Sequence, residues 1–359
     1  MTQKIAIFNH NGGDSTALIT FYLGVELANQ GKTVILADTN PQCDLTLLAL
    51  QQGPKHDDPC LEEIYKTRSN SNIKAALAPA FEAQPKIIEA ADCIPVQGQA
   101  NLLLLPSHVG LTEYEVLLGI AQDLNHASHS LKNLPGAITH LLDTTAERFQ
   151  ADYILIDMSS SLGAINQNLL TTSDFFILPT AVDYLSLLMI ESLASILPKW
   201  ATWAQKVNRL PSFQAVTYPF PDFHLKFLGP IFHNYRFIAG GEFSDFSKRM
   251  VTISDLVASR LVPALAKSDM LLLQGGDSNA GVYQYLQTIE IPAFSSLIFA
   301  SRQSSVPIHQ LQAQDFGSSG LVLTSQLQQQ REFLTAFEKL ATQVIQLTSE
   351  THAVCVESV

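Results

Sequence analysis

The feature that most constrains the fold is a repeated alternation of short apolar runs with longer helical segments. Six runs are almost continuously apolar: "KIAIF" (4–8), "TVILAD" (33–38), "NLLLLP" (101–106), "YILID" (153–157), "FFILPT" (175–180) and "FLGPIF" (227–232). Strands that are apolar on both faces are typical of a sheet covered on both sides, and helices between them favour parallel pairing. The sequence therefore predicts an α/β fold with a doubly wound, mostly parallel sheet flanked by helices.

The chain reads as one domain over residues 1–347, because it contains no internal repeat and no long flexible linker. Residues 51–100 are less regular and predict a helical insertion. A Gln-rich stretch near the C-terminus predicts a helix packed by six apolar side chains, namely Leu327, Phe333, Leu334, Phe337, Leu340 and Val344. Residues 348–359 are expected to fray after that helix.

Composition narrows the class of protein. The formal net charge is -12, from 33 acidic and 21 basic residues, which disfavours nonspecific binding to DNA. The apolar runs fall short of the roughly 20 residues that a membrane span needs. The 4 cysteines are scattered without the spacing of a metal site or a redox pair. We therefore expect a cytoplasmic protein that does not enter a membrane.

The stretch "NHNGGDSTAL" joins the first predicted strand to the first predicted helix. This is the setting of a phosphate-binding loop, in which glycines let backbone N–H groups converge on phosphate oxygens and a lysine neutralises their charge. The strict pattern GxxxxGK[ST] does not occur in the chain. The "GKT" at residues 31–33 follows a helix and enters a strand, which is the reverse of the required context. The loop thus has the setting but lacks the lysine.

Three blocks resemble ParA/MinD-type ATPases, the deviant Walker A (SIMIBI) class of P-loop ATPases. "IAIFNHNGGDSTALITFYLGVELANQGKTVILADTNPQCDLT" resembles, without gaps, their N-terminus, in which the loop reads KGGxxKTT and a later segment reads DxDPQ. "ADYILIDMSSSLGAINQNLLTTSDFFILPT" is similar to their Walker B strand and the switch after it, and "FLGPIFHNYR" to the strand whose Asn-Tyr pair holds the adenine. The resemblance implies a dimeric partition or positioning protein for plasmids, chromosomes or other cargo.

The sequence departs from the family pattern at the positions whose side chains bind the phosphates and the Mg²⁺ ion in the family. Asn11 stands at the first lysine of the loop, Thr16 at the second, and Ala17 at the Mg²⁺-binding threonine. Asp14 places a carboxylate where phosphates would lie, and Asn40 replaces the second acidic residue of DxD. Because phosphoryl transfer depends on positioning and charge stabilisation, these changes together predict a degenerate Walker A loop without catalytic residues, in a pseudo-ATPase.

Part of a nucleotide site remains by the same resemblance. Gly12, Gly13, Ser15 and Thr16 would form a residual nucleotide or anion site, with Asn234 at the adenine end. Alternatively, the loop is a tight turn without a ligand, and the Asp14 carboxylate caps the N-terminus of the helix that follows.

Asp38 and Asp157 are the retained carboxylates that would hold a metal. We expect no cofactor. The alternative is an active ATPase with an atypical P-loop that uses ATP and Mg²⁺ and takes a cationic side chain from elsewhere, such as Lys32, Arg236, Lys248 or Arg249. The expected partners are a second copy or an active ParA-like relative in a dimer, together with an unidentified protein adaptor.

Overall fold

The computed structural model describes residues 2–9, 15–51, 70–123, 130–235, 242–273, 283–284, 289–292 and 294–356. Its strands are β1 (Gln3–Ile7), β2 (Val34–Asp38), β3 (Ile94–Pro95), β4 (Leu102–Leu105), β5 (Tyr153–Asp157), β6 (Phe175–Ala181), β7 (Lys226–Tyr235), β8 (Leu272–Leu273), β9 (Tyr283–Gln284) and β10 (Ile289–Pro292). Its α-helices are α1 (Ser15–Asn29), α2 (Asp44–Ala49), α3 (Ile73–Phe81), α4 (Glu113–Gln122), α5 (Leu134–Phe149), α6 (Ala164–Thr171), α7 (Tyr184–Asn208), α8 (Pro211–Gln214), α9 (Glu242–Leu256), α10 (Val262–Ala266), α11 (Ser295–Ser304) and α12 (Gly320–Val356).

An eight-stranded sheet in the order β10-β7-β6-β1-β5-β2-β4-β3 forms the centre of the molecule. Its neighbouring strands pair in parallel except β3 and β4, which are antiparallel. A separate pair, β8 and β9, is antiparallel. The predicted doubly wound, mostly parallel sheet is thus confirmed, and all six apolar runs form strands of it.

Helices cover both faces of this sheet because successive strand residues point to opposite sides. In β1, Ile5 and Ile7 belong to the hydrophobic core formed with α1 and α12. Ala6 and Phe8 belong to the core on the other face, formed with α5, α7 and other helices. The almost continuous apolarity of the strands follows from this burial on both sides.

Helix α1 lies close to the sheet and points its N-terminus toward the cavity described below. A Cβ added at Gly24 would lie 2.6 Å from Cδ2 of Leu36 in β2, so the glycine permits this close approach. The helix ends at Asn29, and Gly31 follows with φ of +82°, a conformation that favours glycine. It is the helix that the sequence predicts at the end of the stretch "NHNGGDSTAL".

The C-terminal helix α12 is packed through its apolar side chains, as its pattern predicts, and the structure shows that it lies against α1. Phe333 and Phe337 are fully buried, and the Phe333 ring lies 4.7 Å from the Tyr22 ring in an edge contact. The Tyr153 and Thr348 hydroxyls are hydrogen bonded at 2.8 Å, which joins this helix to β5. The helix continues to Val356. Within the described part of the chain, no helix is long and apolar enough to cross a membrane.

Candidate functional site

A cavity of about 730 Å³ opens at the carboxyl ends of the central strands. Its lining comes from the residues after β1, β2 and β5, from the first turn of α1, and from α4 and the start of α6: Asn9, Thr16, Thr39, Asn40, Pro41, Gln42, Asp44, Thr112, Glu115, Val116, Met158, Ser159, Ser160, Ser161, Gly163 and Ile165. Strand β1 lies between β5 and β6. The chain runs from β1 toward β2 at one side of the sheet and from β5 toward β6 at the other, so the strand order reverses here. Such a point of reversal is where open α/β sheets bind ligands.

Two carboxylates end neighbouring strands beside this cavity. Asp38 closes β2 and Asp157 closes β5, directly opposite each other in the parallel register, and both are fully buried. Asp38 accepts hydrogen bonds from the Thr46 hydroxyl at 2.6 Å, the Thr46 amide at 2.9 Å and the Asn40 amide at 3.0 Å. By contrast, neither side-chain oxygen of Asp157 has a hydrogen-bond partner in the described chain.

Burial of this pair favours the protonated form of each carboxyl group. It raises the pKa of Asp38 to about 7, although the hydrogen bonds from Thr46 and Asn40 act in the opposite direction. Burial also raises the pKa of Asp157 well above its usual value, and the charge of Asp38 adds to the effect. The nearby Thr16 hydroxyl opposes it, although the two side chains are outside hydrogen-bonding geometry. The buried pair therefore binds a proton more tightly than exposed carboxyl groups do when no cation neutralises it.

The unpartnered oxygens of Asp157 fit a hard divalent cation such as Mg²⁺, which prefers oxygen ligands. The residue that follows, Met158, lines the cavity, and so does Thr39, whose hydroxyl donates to the Asp157 carbonyl at 2.7 Å. Asp38 is engaged with three donors, so it suits a supporting role better than direct ligation. Within the described residues, no group of three or more His, Cys, Asp or Glu side chains surrounds a metal position.

The structure places some predicted loop residues and leaves others undescribed. Asn11, Gly12 and Gly13, with Asp14, lie outside the described residues. Ser15 begins α1, and its side chain is not described. Thr16 lines the cavity.

Ala17, the next residue of α1, is buried in the hydrophobic core. Asn40 also lines the cavity, and its side-chain oxygen accepts a hydrogen bond from the Gln42 amide at 3.1 Å. The structure thus brings Thr16, Asn40, Asp38 and Asp157 to one edge of the sheet.

The predicted adenine end lies on β7. Asn234 is the residue before the last of this strand, and its side chain is not described. Its neighbour His233 was not singled out from the sequence. The His233 ring is buried, neither ring nitrogen has a hydrogen-bond partner in the described chain, and burial lowers its pKa to about 4. A neutral imidazole is therefore expected beside the predicted adenine position.

Two further polar residues of the site were missed by sequence reasoning. Asn166 of α6 donates from its side-chain amide to the carbonyls of Ser159 and Ser161, both at 2.7 Å, and so holds residues 158–163 between β5 and α6, here called the β5–α6 segment. Glu115 of α4 lines the cavity and accepts hydrogen bonds from backbone amides at the start of α6. Glu115 could have been found from its position in the chain. Helix α4 begins shortly after β4, and the carboxyl end of that strand lies at the edge of the sheet where the other site residues meet.

Comparison with known proteins supports the same relationship. A family model described as "AAA domain" (AAA_31) matches residues 2–208, more than half of the chain. An uncharacterized protein of Methanocaldococcus jannaschii is 28% identical over 196 residues, which cover 54% of this chain and 65% of the relative. The sporulation initiation inhibitor protein Soj of Bacillus subtilis is 26% identical over 190 residues, covering 52% and 61%. The matched region thus spans less than two thirds of these relatives.

Solved structures show the same fold at low sequence identity. The ATP complex of McdA from Cyanothece matches with a TM-score of 0.54 and 14% identity, covering 96% of each chain. The pNOB8 ParA structure matches with a TM-score of 0.54 and 16% identity, covering 98% of this chain and 100% of the other. With the family model, the Soj relationship and the observed sheet, the resemblance found in the sequence is confirmed, and the chain belongs to the AAA_31 family of AAA domains as a ParA/MinD-type P-loop protein.

Proposed function

We propose that this protein is a ParA/MinD-like pseudo-ATPase, which has lost ATP hydrolysis and acts in the cytoplasm as a scaffold or regulatory partner of a partition or positioning system. The observation that carries the proposal is the charge of the cavity wall. Two acidic residues, Asp44 and Glu115, belong to the described lining, and that lining contains no Lys or Arg. The adjoining loop, residues 10–14, reads "HNGGD" and contains no Lys or Arg either.

This charge distribution opposes a nucleoside triphosphate. The phosphates carry about three to four negative charges, and related sites stabilise them with a lysine and a metal ion. A like charge about 4 Å from a phosphate oxygen costs about 4 kcal/mol at an effective dielectric constant of 20. Thr16 and Asn40 supply dipoles but no positive charge, so they offset only a small part of this repulsion.

The surface beside the cavity supports a role in protein–protein contacts. Val109, Val116 and Ile120, on and before α4, are large apolar side chains exposed to solvent, and Leu162 in the β5–α6 segment is partly exposed. Exposed apolar groups near a functional edge are typical of interaction surfaces. The partner in this proposal is a second copy or an active ParA-like relative, with a protein adaptor as a further component. The net charge of -12 disfavours nonspecific DNA as that partner.

A second candidate function is an active ATPase with an atypical P-loop. The observation in its favour is the retained pair Asp38 and Asp157, whose unpartnered oxygens fit Mg²⁺. This function also needs a cation from elsewhere in the chain or from a partner. Lys32 lies between α1 and β2, at the edge of the sheet opposite the cavity. Arg236 lies outside the described residues, whereas Lys248 and Arg249 belong to α9.

Turnover and self-association together distinguish the two functions. We expect no phosphate release above the buffer rate, and a sedimentation coefficient that is the same with and without Mg-ATP. Hydrolysis that is abolished by Asp157→Asn, accompanied by Mg-ATP-dependent dimerisation, would contradict the proposal and support the active ATPase.

A further inference from the structure

Helix α6 is capped by a residue distant in sequence. An α-helix leaves its first amide groups without partners inside the helix, and these are usually satisfied by a side chain at the N-cap position. The N-cap residue of α6 is Gly163, which has no side chain to offer. Instead, the carboxylate of Glu115 accepts hydrogen bonds from the Ala164 amide and, at 3.2 Å, from the Ile165 amide.

Glycine at position 163 leaves space for the Glu115 carboxylate. Its φ and ψ of -85° and -177° are extended values that any residue adopts, so the backbone conformation does not require glycine. A Cβ at this position would lie 2.9 Å from the carboxyl carbon of Glu115 and still closer to one carboxylate oxygen. The absence of a side chain therefore leaves room for the carboxylate.

The same face of α4 also holds the first carbonyl of α6. Gln122 lies two helical turns after Glu115, and its side-chain amide donates to the Ala164 carbonyl at 2.9 Å. Both backbone polar groups of Ala164 are thus bound by α4. Because α6 directly follows the β5–α6 segment, which lines the cavity, its position sets the position of that wall.

We propose that Glu115 and Gly163 form a latch that fixes the β5–α6 segment against α4 without any ligand in the cavity. Glu115 is a positioning residue: it holds Ala164 and Ile165, and through them the wall that runs from Met158 to Gly163. Every contact of the latch comes from the chain itself, so the inference goes beyond the proposed function and holds whether or not a nucleotide binds.

Amide hydrogen exchange of the full chain tests the latch. Glu115→Ala removes the carboxylate, and Gly163→Ala displaces it while leaving it in the chain. Hydrogen bonds to charged groups contribute about 1.5–3 kcal/mol, so each variant should accelerate exchange of the first amides of α6 by about 10- to 100-fold. Glu115→Gln keeps one acceptor oxygen and should accelerate it by about 3- to 10-fold. Glu113→Gln, a charge change on the same helix at a residue paired with Lys74, should leave α6 unaffected.

The double variant separates a latch from two independent defects. If the two substitutions disrupt the same interaction, adding Gly163→Ala to Glu115→Ala should cause no further acceleration of amide exchange. Multiplication of the two effects would overturn the proposal, as would unchanged exchange in both single variants. Equal acceleration of exchange in α5, α6 and α7 would also overturn it, because that result means general destabilisation. If the alanine variants unfold, exchange in α6 is compared with exchange in α5 and α7 in Glu115→Gln, which is the mildest change.

Discussion

Asp157→Asn should make the protein more stable relative to the wild type as the pH rises. Burial and the neighbouring charge of Asp38 raise the Asp157 pKa well above its ordinary value of 3.8. Between these values the native state binds a proton that the unfolded chain has released. The stability contributed by that bound proton therefore falls as the pH rises.

The magnitude follows from linkage. One proton corresponds to about 1.36 kcal/mol per pH unit, so between its unfolded and native pKa this carboxyl group should lower the free energy of unfolding of the wild type by about that amount for each unit of pH. The asparagine side chain of the variant does not titrate, so the variant would lack this loss. The stability of the variant relative to the wild type should therefore rise by about 1.36 kcal/mol per pH unit over the same interval.

Urea denaturation at fixed ionic strength, with a chelator present to remove divalent cations, measures this difference at each pH. Asp269→Asn is the matched control, because its carboxylate is 87% exposed and paired with Lys226 at the surface. That control should change the relative stability by less than about 0.5 kcal/mol across the interval. A constant difference between Asp157→Asn and the wild type from about pH 5 to about pH 7 would refute the reasoning about the buried pair.

Further predictions concern packing and stability, each measured by urea denaturation near neutral pH. Thr46→Val removes the hydroxyl that donates to Asp38 at 2.6 Å and should cost about 2 kcal/mol; a loss below about 0.5 kcal/mol would contradict this role. Gly136→Ala places a Cβ 2.6 Å from a backbone carbonyl oxygen and should cost about 2 kcal/mol or more, whereas Gly119→Ala meets only ordinary contacts within a helix and should gain about 0.5–1 kcal/mol. If both changes had the same sign, the packing argument would be wrong. Phe333→Ala should cost about 3–5 kcal/mol in a single transition of the whole domain, whereas separate melting of α12 would show that this helix is not part of the same core.

The central strands could be predicted from sequence because their environment leaves a strong pattern. Burial on both faces requires continuous apolarity, and the six strands carrying it were all found. The edge strands β3 and β10 were not predicted. β3 has two residues and β10 has four, and each ends in a proline, so neither provides the length or composition that identifies a strand.

The carboxylate pair was also accessible from the sequence. Asp38 and Asp157 each end an apolar run, and the carboxyl ends of parallel strands meet at one edge of a sheet. The sequence does not predict their different surroundings. The hydrogen-bond donors to Asp38 come from the following loop and helix, whereas the Asp157 side chain has no hydrogen-bond partner in the described chain. Such differences depend on side-chain packing that no local pattern encodes.

The cap of α6 was missed for the same reason. Glu115 lies 49 residues before Ala164, and nothing in the spacing of the two segments predicts that a carboxylate on one helix replaces the N-cap side chain of another. The glycine at position 163 was visible, but its meaning depends on the neighbour that approaches it. Contacts between distant segments therefore carry the information that sequence reasoning lacked.

The most direct test of the proposed loss of nucleotide binding is a calorimetric titration of the purified protein with Mg-ATP, with Mg-ADP alongside. An acidic cavity wall whose described lining contains no lysine predicts no binding heat for either nucleotide up to millimolar concentration. Binding of Mg-ATP with a micromolar dissociation constant would contradict the pseudo-ATPase, because it would mean that a cation from another part of the chain or from a second copy neutralises the phosphates.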